Sequence, residues 1–194
     1  MIVTDISSES NYPDCLEGPT NCNNEPRSTG TLHLSTIYRD IHDTIAPRDP
    51  LPEEDLAFYA AGGWLWERIW DRAHLDAIKK DLVIRPGEFE RDGIVGSPDS
   101  LDLDKIRLIE LKCRWMSSKK FDHLEKYFWY ELLQIKGYLA MLGWTEAELH
   151  VMFLCGDWRP PIPCVRSVLL EFTEREVEEA WSQITSHARH RGWL

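Results

Sequence analysis

Two carboxylates and one amine occur at a spacing that can bring them together on a β-hairpin. Asp99 is followed after ten residues by Glu110, and Lys112 comes two positions later. Because successive side chains of a strand alternate between its faces, Glu110 and Lys112 share one face. A turn at Asp104-Lys105 would place the strand that follows Asp99 beside them. The spacing therefore predicts that both carboxylates and the amine converge on one patch of sheet.

This grouping has a chemical use, because two close carboxylates repel and each raises the free-energy cost of ionising the other. A Mg²⁺ or Mn²⁺ ion removes that conflict, since hard cations bind carboxylate oxygens, retain some waters and engage substrate phosphates. Such an ion lowers the pKa of bound water and neutralises charge on a phosphate. Lys112 can orient or deprotonate that water, or stabilise the charged transition state. The pattern indicates divalent-metal chemistry at a phosphate group.

The motif resembles the signature of the PD-(D/E)XK nucleases, through Gly96-Ser97-Pro98-Asp99 and Glu110-Leu111-Lys112. Within that superfamily it is most similar to the RecB-like and lambda-exonuclease-like branch. That branch adds a Glu on a preceding helix and a Gln-xxx-Tyr on the following one. Gly63-Trp64-Leu65-Trp66-Glu67 is similar to the first addition and Gln134-Ile135-Lys136-Gly137-Tyr138 to the second. The resemblance covers about residues 32–188.

The resemblance implies an α/β fold with a restriction-endonuclease-like core, in which helices flank a central mixed β-sheet. It implies Mg²⁺ or Mn²⁺ held by carboxylates and one main-chain carbonyl, which map to Glu67, Asp99, Glu110 and the carbonyl of Leu111. It also implies catalytic roles for Asp99, Glu110, Lys112, Gln134 and Tyr138. Nearby basic residues are candidates for binding DNA phosphates, with a solvated loop as the alternative: Arg114, Lys119 and Lys120.

The motif residues also have ordinary structural interpretations. A Glu-x-Lys triplet alone occurs on any charged strand edge, whereas its union with Ser-Pro-Asp at this spacing is more specific. Leu108, Ile109 and Leu111 predict a buried strand, where an unpaired carboxylate would be costly. Glu67 lies on a helix, where a solvated Glu is the usual case, but three tryptophans surround it in sequence: Trp64, Trp66 and Trp70.

Gln134 and Tyr138 are four residues apart, so they share one face of a helix. That face differs from the apolar stripe formed by Leu124, Phe128, Ile135 and Leu139. The alternative is an ordinary helix flank with the tyrosine ring packed and its hydroxyl exposed. We favour an active-site role for both residues.

Local patterns predict the elements that would position these residues. The N-terminal half is predicted to contain two helices, one capped by Ser35 and extending to about Asp43, the other running from about Glu53 to Lys80 with a kink or break at Gly62-Gly63. Three strands follow, at Leu82–Glu90, Gly93–Leu103 (interrupted at Ser97-Pro98) and Ile106–Cys113.

The C-terminal half continues with a helix from about Asp122 to Leu142, which Gly143 ends. Strands are predicted at Ala147–Leu154 and Val165–Phe172. Thr173 caps a last helix to about Ala188, with Glu176 in the capping-box position. A strand–helix–strand unit after a meander indicates a mixed sheet with helices on both faces.

Composition limits the classes of protein that fit. The 194 residues suit one domain, predicted at 31–194, after a flexible or loosely packed extension at 1–30. The net charge of −11 argues against a general polyanion binder, although residues 101–140 contain eight basic and six acidic residues, a net charge of +2. Five cysteines without a CxxC pair predict reduced thiols and no iron–sulfur cluster. Neither a secretory signal nor a membrane span is evident, so a cytoplasmic location is expected.

The leading functional hypothesis is a metal-dependent DNA exonuclease that acts on ends, in recombination or repair, of phage or mobile-element type. One alternative is an endonuclease of restriction or junction-resolving type. Another is a catalytically silent protein of the same fold that binds nucleic acid or a partner. The excess of acidic residues is also compatible with a homo-oligomer whose acidic outer surface binds a recombination protein.

Overall fold

The computed structural model describes residues 1–6, 30–47, 52–154 and 164–194, without the side chains of 53–58. The α-helices within these ranges are α1 (Leu34–Ile45), α2 (Glu53–Ala73), α3 (Leu75–Lys79), α4 (Leu124–Tyr127), α5 (Trp129–Leu142) and α6 (Glu174–His190). A 3₁₀-helix occupies Ser118–His123. The strands are β1 (Ile2–Asp5), β2 (Leu32–His33), β3 (Val83–Ile84), β4 (Phe89–Arg91), β5 (Ile94–Gly96), β6 (Ser100–Asp102), β7 (Arg107–Arg114), β8 (Glu146–Phe153) and β9 (Cys164–Glu171).

Six of these strands form one mixed sheet in the order β1-β9-β8-β7-β6-β3. The central strands β7 and β8 are parallel, and the other neighbours in this sheet are antiparallel. A second, small sheet has the order β2-β5-β4. This architecture confirms the predicted α/β fold with a central mixed sheet between helices.

Strand β7 separates two hydrophobic layers because its side chains alternate between the faces of the sheet. On one face Leu108 joins the main core with residues of α1, α5 and α6. On the other face Ile109 and Leu111 pack against Trp66 and Trp70 of α2. Strand β7 is therefore covered on both faces, and its charged residues Glu110 and Lys112 lie on the same face as Leu108.

Several predicted elements are divided in the structure. The segment predicted as one strand at Gly93–Leu103 forms β5 and β6, which belong to different sheets, because Ser97-Pro98 interrupts the pairing. Leu82–Glu90 is likewise divided between β3 and β4. The helix predicted at Asp122–Leu142 is interrupted at Phe128, which separates α4 from α5.

The prediction of helix α2 was correct in position and wrong about where it breaks. The helix passes through Gly62-Gly63 without interruption and ends at Ala73, before α3. Packing of Trp66 and Trp70 against the sheet offsets the weak helix propensity of the two glycines. Ser35 does not cap α1, since it lies inside that helix and His33 holds the N-cap position.

The termination signals near the C-terminus are confirmed. Gly143 follows α5 in a left-handed conformation, with φ of 70°. Thr173 and Glu176 form the predicted capping box of α6. Within the parts of the chain that the structure describes, no helix combines the length and apolar character needed to cross a membrane.

Residues 2–5 form an edge strand that sequence patterns did not predict. Strand β1 pairs antiparallel with β9, and the amino group of Met1 lies 2.7 Å from Glu176 Oε1. The rest of the predicted N-terminal extension, 7–29, lies outside the described residues. The start of that extension is therefore part of the folded domain, where it forms one edge of the central sheet.

Two glycines provide a test of the helix packing. A Cβ at Gly137 on α5 would lie 2.9 Å from Leu34 Cδ2 and 3.0 Å from Ile184 Cδ1, whereas a Cβ at Gly63 on α2 would meet no atom within 4 Å. We expect Gly137→Val to lower the free energy of unfolding by about 1–3 kcal/mol through overpacking. Gly63→Ala should raise it by roughly 0.5–1 kcal/mol through helix propensity. Chemical denaturation measures both, and stabilisation by Gly137→Val would contradict the close packing of α1, α5 and α6.

Candidate active site

The hairpin of β6 and β7 brings the predicted carboxylates and amine together. Asp99 lies just before β6, and its Oδ2 accepts a hydrogen bond of 2.8 Å from the main-chain N–H of Leu111. Lys112 Nζ donates a short hydrogen bond to Glu110 Oε1. The side chain of Glu110 is only 1% exposed and that of Lys112 is 15% exposed. This part of the site is therefore an enclosed group of charges.

Pro98 explains why the strand pairing stops beside Asp99. The register of β6 and β7 places Ser100 opposite Ile109, so its continuation would place Pro98 opposite Leu111. Proline has no main-chain N–H and cannot donate to the Leu111 carbonyl in such a ladder. The Leu111 N–H bonds instead to the Asp99 carboxylate. The strand pairing thus ends where the Asp99 carboxylate and the Leu111 main-chain carbonyl are available to bind a cation.

Burial and mutual repulsion change the pKa values of the charged groups in this site. Removal from water, followed by the nearby Asp99 carboxylate, raises the pKa of Glu110 to about 8. Burial opposes the charge of Lys112, but the adjacent carboxylates outweigh it and raise the pKa of this amine. Within the described protein, Glu110 Oε2 is buried and has no hydrogen-bond partner. Such an oxygen is costly to leave unpaired, and a cation would compensate it.

Glu67 on α2 lies on the other side of Asp99 and belongs to the same electrostatic group. Burial raises the pKa of Glu67 to about 7, with a further contribution from Asp99 and an opposing one from Arg85. Arg85 lies 3.5 Å from Glu67 Oε2 and donates a 2.7 Å hydrogen bond to Asp71 Oδ1. Neither Arg85 nor Asp71 was predicted from the sequence. Asp71 follows Glu67 by one helical turn, which is a detectable signal, whereas nothing in the sequence pattern pointed to Arg85.

Gln134 and Tyr138 face the same charged group from α5. Gln134 Nε2 donates a 3.1 Å hydrogen bond to the Tyr138 hydroxyl, and both side chains are buried. Burial, together with the Glu110 carboxylate, raises the pKa of Tyr138, which keeps the phenol neutral. A Cβ at Gly96 would lie 2.8 Å from Tyr138 Cε1. The glycine before the Ser-Pro-Asp sequence therefore leaves room for the tyrosine ring.

The basic residues predicted to bind DNA occupy different environments. Arg114 is largely committed within the protein, since its guanidinium donates to Glu131, to the Tyr130 hydroxyl at 2.8 Å and to the Cys113 carbonyl at 3.0 Å. Glu131 is 1% exposed and was missed by sequence analysis. Lys119 and Lys120 lie on the 3₁₀-helix, where Lys119 is exposed and the Lys120 ammonium lies 5.1 Å from the centre of the Tyr127 ring.

The carboxylate and carbonyl oxygens of this site suit a hard divalent cation that takes few ligands from the protein. Within the described ranges, no three side chains among His, Cys, Asp and Glu converge closely enough to surround a metal ion by themselves. Mg²⁺ commonly binds one or two carboxylates and keeps several waters, so a larger cluster is not required. The unpartnered Glu110 Oε2 and the Asp99 carboxylate beside Leu111 meet that requirement. The residues present therefore fit such an ion.

Two solved structures share this architecture. A phage-related exonuclease from Haemophilus somnus 129PT superposes with a TM-score of 0.52 at 15% identity, over 80% of this chain and 78% of that one. An alkaline exonuclease from Laribacter hongkongensis gives a TM-score of 0.54 at 16% identity, over 83% of this chain and 87% of that one. No protein-family model and no curated protein matches the sequence. The comparisons establish that this chain has the fold of those exonucleases.

The raised carboxylate pKa values predict a pH dependence of stability. The folded-state pKa values of Glu67 and Glu110, about 7 and about 8, exceed the usual 4.5. Between about pH 5 and pH 8 the folded protein therefore keeps protons that the unfolded chain releases, so the free energy of unfolding falls as pH rises. Glu110→Gln should show a smaller fall, and a higher Tm near pH 8, because the amide retains an acceptor for Lys112 without the charge.

Melting curves in EDTA across this pH range measure the effect. Burial lowers the pKa of His74, which adds an opposite slope, but that slope is common to both proteins and cancels in their difference. Identical pH profiles for the wild type and Glu110→Gln would show that Glu110 is not held at a raised pKa.

Proposed function

We propose that this protein is a Mg²⁺- or Mn²⁺-dependent DNA exonuclease of the PD-(D/E)XK type. The observation that carries the proposal is the buried Glu110 carboxylate, which has one oxygen bound to Lys112 and the other without a partner in the described protein. Asp99 stands beside it, and the charges of these two carboxylates repel. The fold supports the proposal, since proteins that share it are exonucleases.

In this proposal Asp99, Glu110 and the Leu111 carbonyl would hold the ion, and Glu67 would contribute directly or through water. When bound, the ion lowers the pKa of a water ligand and neutralises charge on the phosphate. The Leu111 N–H keeps the Asp99 carboxylate oriented, as its hydrogen bond of 2.8 Å indicates. The protein thus presents its ligands in fixed positions before the substrate arrives.

Lys112 supplies a proton-bearing group at the reacting phosphate. Its ammonium is held by Glu110, and the neighbouring carboxylates favour its charged form. From that position Nζ can donate a hydrogen bond to a phosphate oxygen or orient the attacking water. Gln134 and Tyr138, both buried, form the inner wall and exclude bulk water from this side.

Activity on DNA ends is the preferred hypothesis for the substrate. The added Glu67 and the Gln134–Tyr138 pair resemble the exonuclease branch of the superfamily, and both structural relatives described above are exonucleases. The overall negative charge would hold internal duplex weakly, because affinity for DNA depends on neutralising phosphates. A role in recombination or repair, a protein partner in that process and a cytoplasmic location belong to the same proposal.

Two alternatives make different predictions. An endonuclease of the same chemistry would cleave closed circles, and a catalytically silent protein would bind DNA without cleaving it. Lys112 contacts Glu110, and the Asp99 carboxylate acts electrostatically on both residues. The presence of all three charged groups favours a catalytic protein over a catalytically silent one.

The first prediction of this proposal concerns the catalytic residues. We expect Glu110→Gln and Lys112→Met each to lower the cleavage rate by about 10³-fold or more, because a metal ligand or a charge stabiliser contributes several kcal/mol in the transition state. Lys105→Met is a matched control, since its side chain is 49% exposed and pairs with Asp102 and Glu148 outside this site. Unchanged cleavage by folded Glu110→Gln would refute the assignment.

The second prediction concerns the substrate. With Mg²⁺ or Mn²⁺, equal masses of linear and covalently closed plasmid should behave differently, with progressive loss of the linear form and resistance of the circle. EDTA should stop the reaction because no cation remains to bind the carboxylates. End-labelled single-stranded and double-stranded DNA then establish strand preference. Equal loss of both plasmids, or discrete internal fragments from the linear form, would identify an endonuclease instead.

A further inference from the structure

The Arg85 guanidinium joins three chain segments beside the candidate metal site. Arg85 directly follows β3, and its Nη1 donates a 2.8 Å hydrogen bond to the main-chain carbonyl of Asp99. Its Nη2 donates a 2.7 Å hydrogen bond to Asp71 Oδ1 on α2. Nη1 also lies 3.5 Å from Oε2 of Glu67, one helical turn before Asp71. Helix α2, β3 and the turn before β6 therefore meet at this side chain.

The geometry differs from that of an ordinary surface ion pair. The Asp71 side chain is 13% exposed and that of Arg85 is 33% exposed, so the pair is substantially shielded from water. A planar guanidinium can bond to a carbonyl and a carboxylate at the same time with fixed angles, which a lysine cannot do. Asp99 is consequently held at both ends, its carboxylate by Leu111 N–H and its carbonyl by Arg85.

We infer that Arg85 is a positioning residue that sets the separation of Glu67 and Asp99 for cation binding. The inference rests on the proposed function, because it assumes that these carboxylates bind a metal ion. Arg85 holds the turn that carries Asp99 against the helix that carries Glu67, and Asp71 orients the guanidinium. The residue acts through the carboxylates and is not itself assigned to the substrate.

The positive charge of Arg85 and its hydrogen bonds should affect metal binding in opposite directions, so the two effects can be distinguished. A positive charge beside the carboxylates opposes the approach of a cation, so its removal should by charge alone strengthen metal binding. Loss of a fixed ligand geometry should instead weaken it, and partners that orient metal ligands commonly contribute roughly 10- to 100-fold in affinity. The two roles predict changes of opposite sign.

The test is a titration of Mn²⁺ into the metal-free, full-length protein, followed by calorimetry. We expect Arg85→Met to weaken Mn²⁺ binding by roughly 10- to 100-fold. Arg85→Lys should also bind more weakly than the wild type, because it retains the charge without the planar fork. Tighter or unchanged binding by Arg85→Met, or wild-type affinity in Arg85→Lys, would overturn the inference. If Arg85→Met does not fold, Arg85→Lys carries the same test.

Arg91→Met is the matched control. Arg91 also joins a main-chain carbonyl to a carboxylate, since its Nη1 donates to the Ala140 carbonyl at 2.7 Å and to Glu178 Oε1 at 2.9 Å. This control should lose some stability without loss of Mn²⁺ affinity. An equal loss of affinity in Arg91→Met would show that general destabilisation is responsible and would reject the role of Arg85.

Steady-state cleavage provides a second readout. Arg85→Met should lower kcat by roughly 10-fold or more, at saturating Mn²⁺, with the KM for DNA within about 2-fold of the wild type. A change confined to KM would assign Arg85 to substrate binding and overturn the inference. Failure of the wild type itself to bind Mn²⁺ would instead remove the proposed metal dependence, so failures of the two proposals can be distinguished.

Discussion

The cost of keeping carboxylates charged inside a protein organises this structure. Glu110 projects from the central strand into an interior that raises its pKa, and the Asp99 carboxylate adds repulsion. Neither effect favours stability in the metal-free protein, because buried charge requires compensation. Lys112 compensates one oxygen of Glu110, and the other has no hydrogen bond in the described protein. The fold holds an arrangement that a divalent cation would complete.

The surrounding elements hold these charges in place from both faces of the sheet. Helix α2 packs Trp66 and Trp70 on the face opposite Glu110 and brings Glu67 to the end of the hairpin. Helix α5 closes the other face with Gln134 and Tyr138, and Gly96 leaves space for the tyrosine ring. Because Glu110 is only 1% exposed, close packing limits the movement of its carboxylate away from Asp99. Rigidity of this kind is what preorganised ligands require.

Arg114 and Arg85 both lie near the candidate site, but they make different contacts. Arg114 lies on the same strand face as Lys112, yet its guanidinium pairs with Oε1 of the buried Glu131 carboxylate and donates to the Tyr130 hydroxyl. Arg85 directly follows the short edge strand β3 and donates a hydrogen bond to the Asp99 carbonyl. The first stabilises the wall of the site, and the second joins its separate segments.

The sequence by itself determined the positions of α1, α2, α5 and α6 and of strands β7, β8 and β9. It also determined the alternation along β7 and the grouping of Asp99 with Glu110, because these depend on neighbours within one hairpin or one helix. Tertiary structure alone decided which strands share a sheet, the place of β1 at the edge and the contacts of Arg85. These features join segments that lie far apart in the chain, and local periodicity contains no information about such partners. The same limit explains why the sequence left the role of Arg114 open between phosphate contact and a solvated loop: only the folded chain brings the Glu131 carboxylate to its guanidinium.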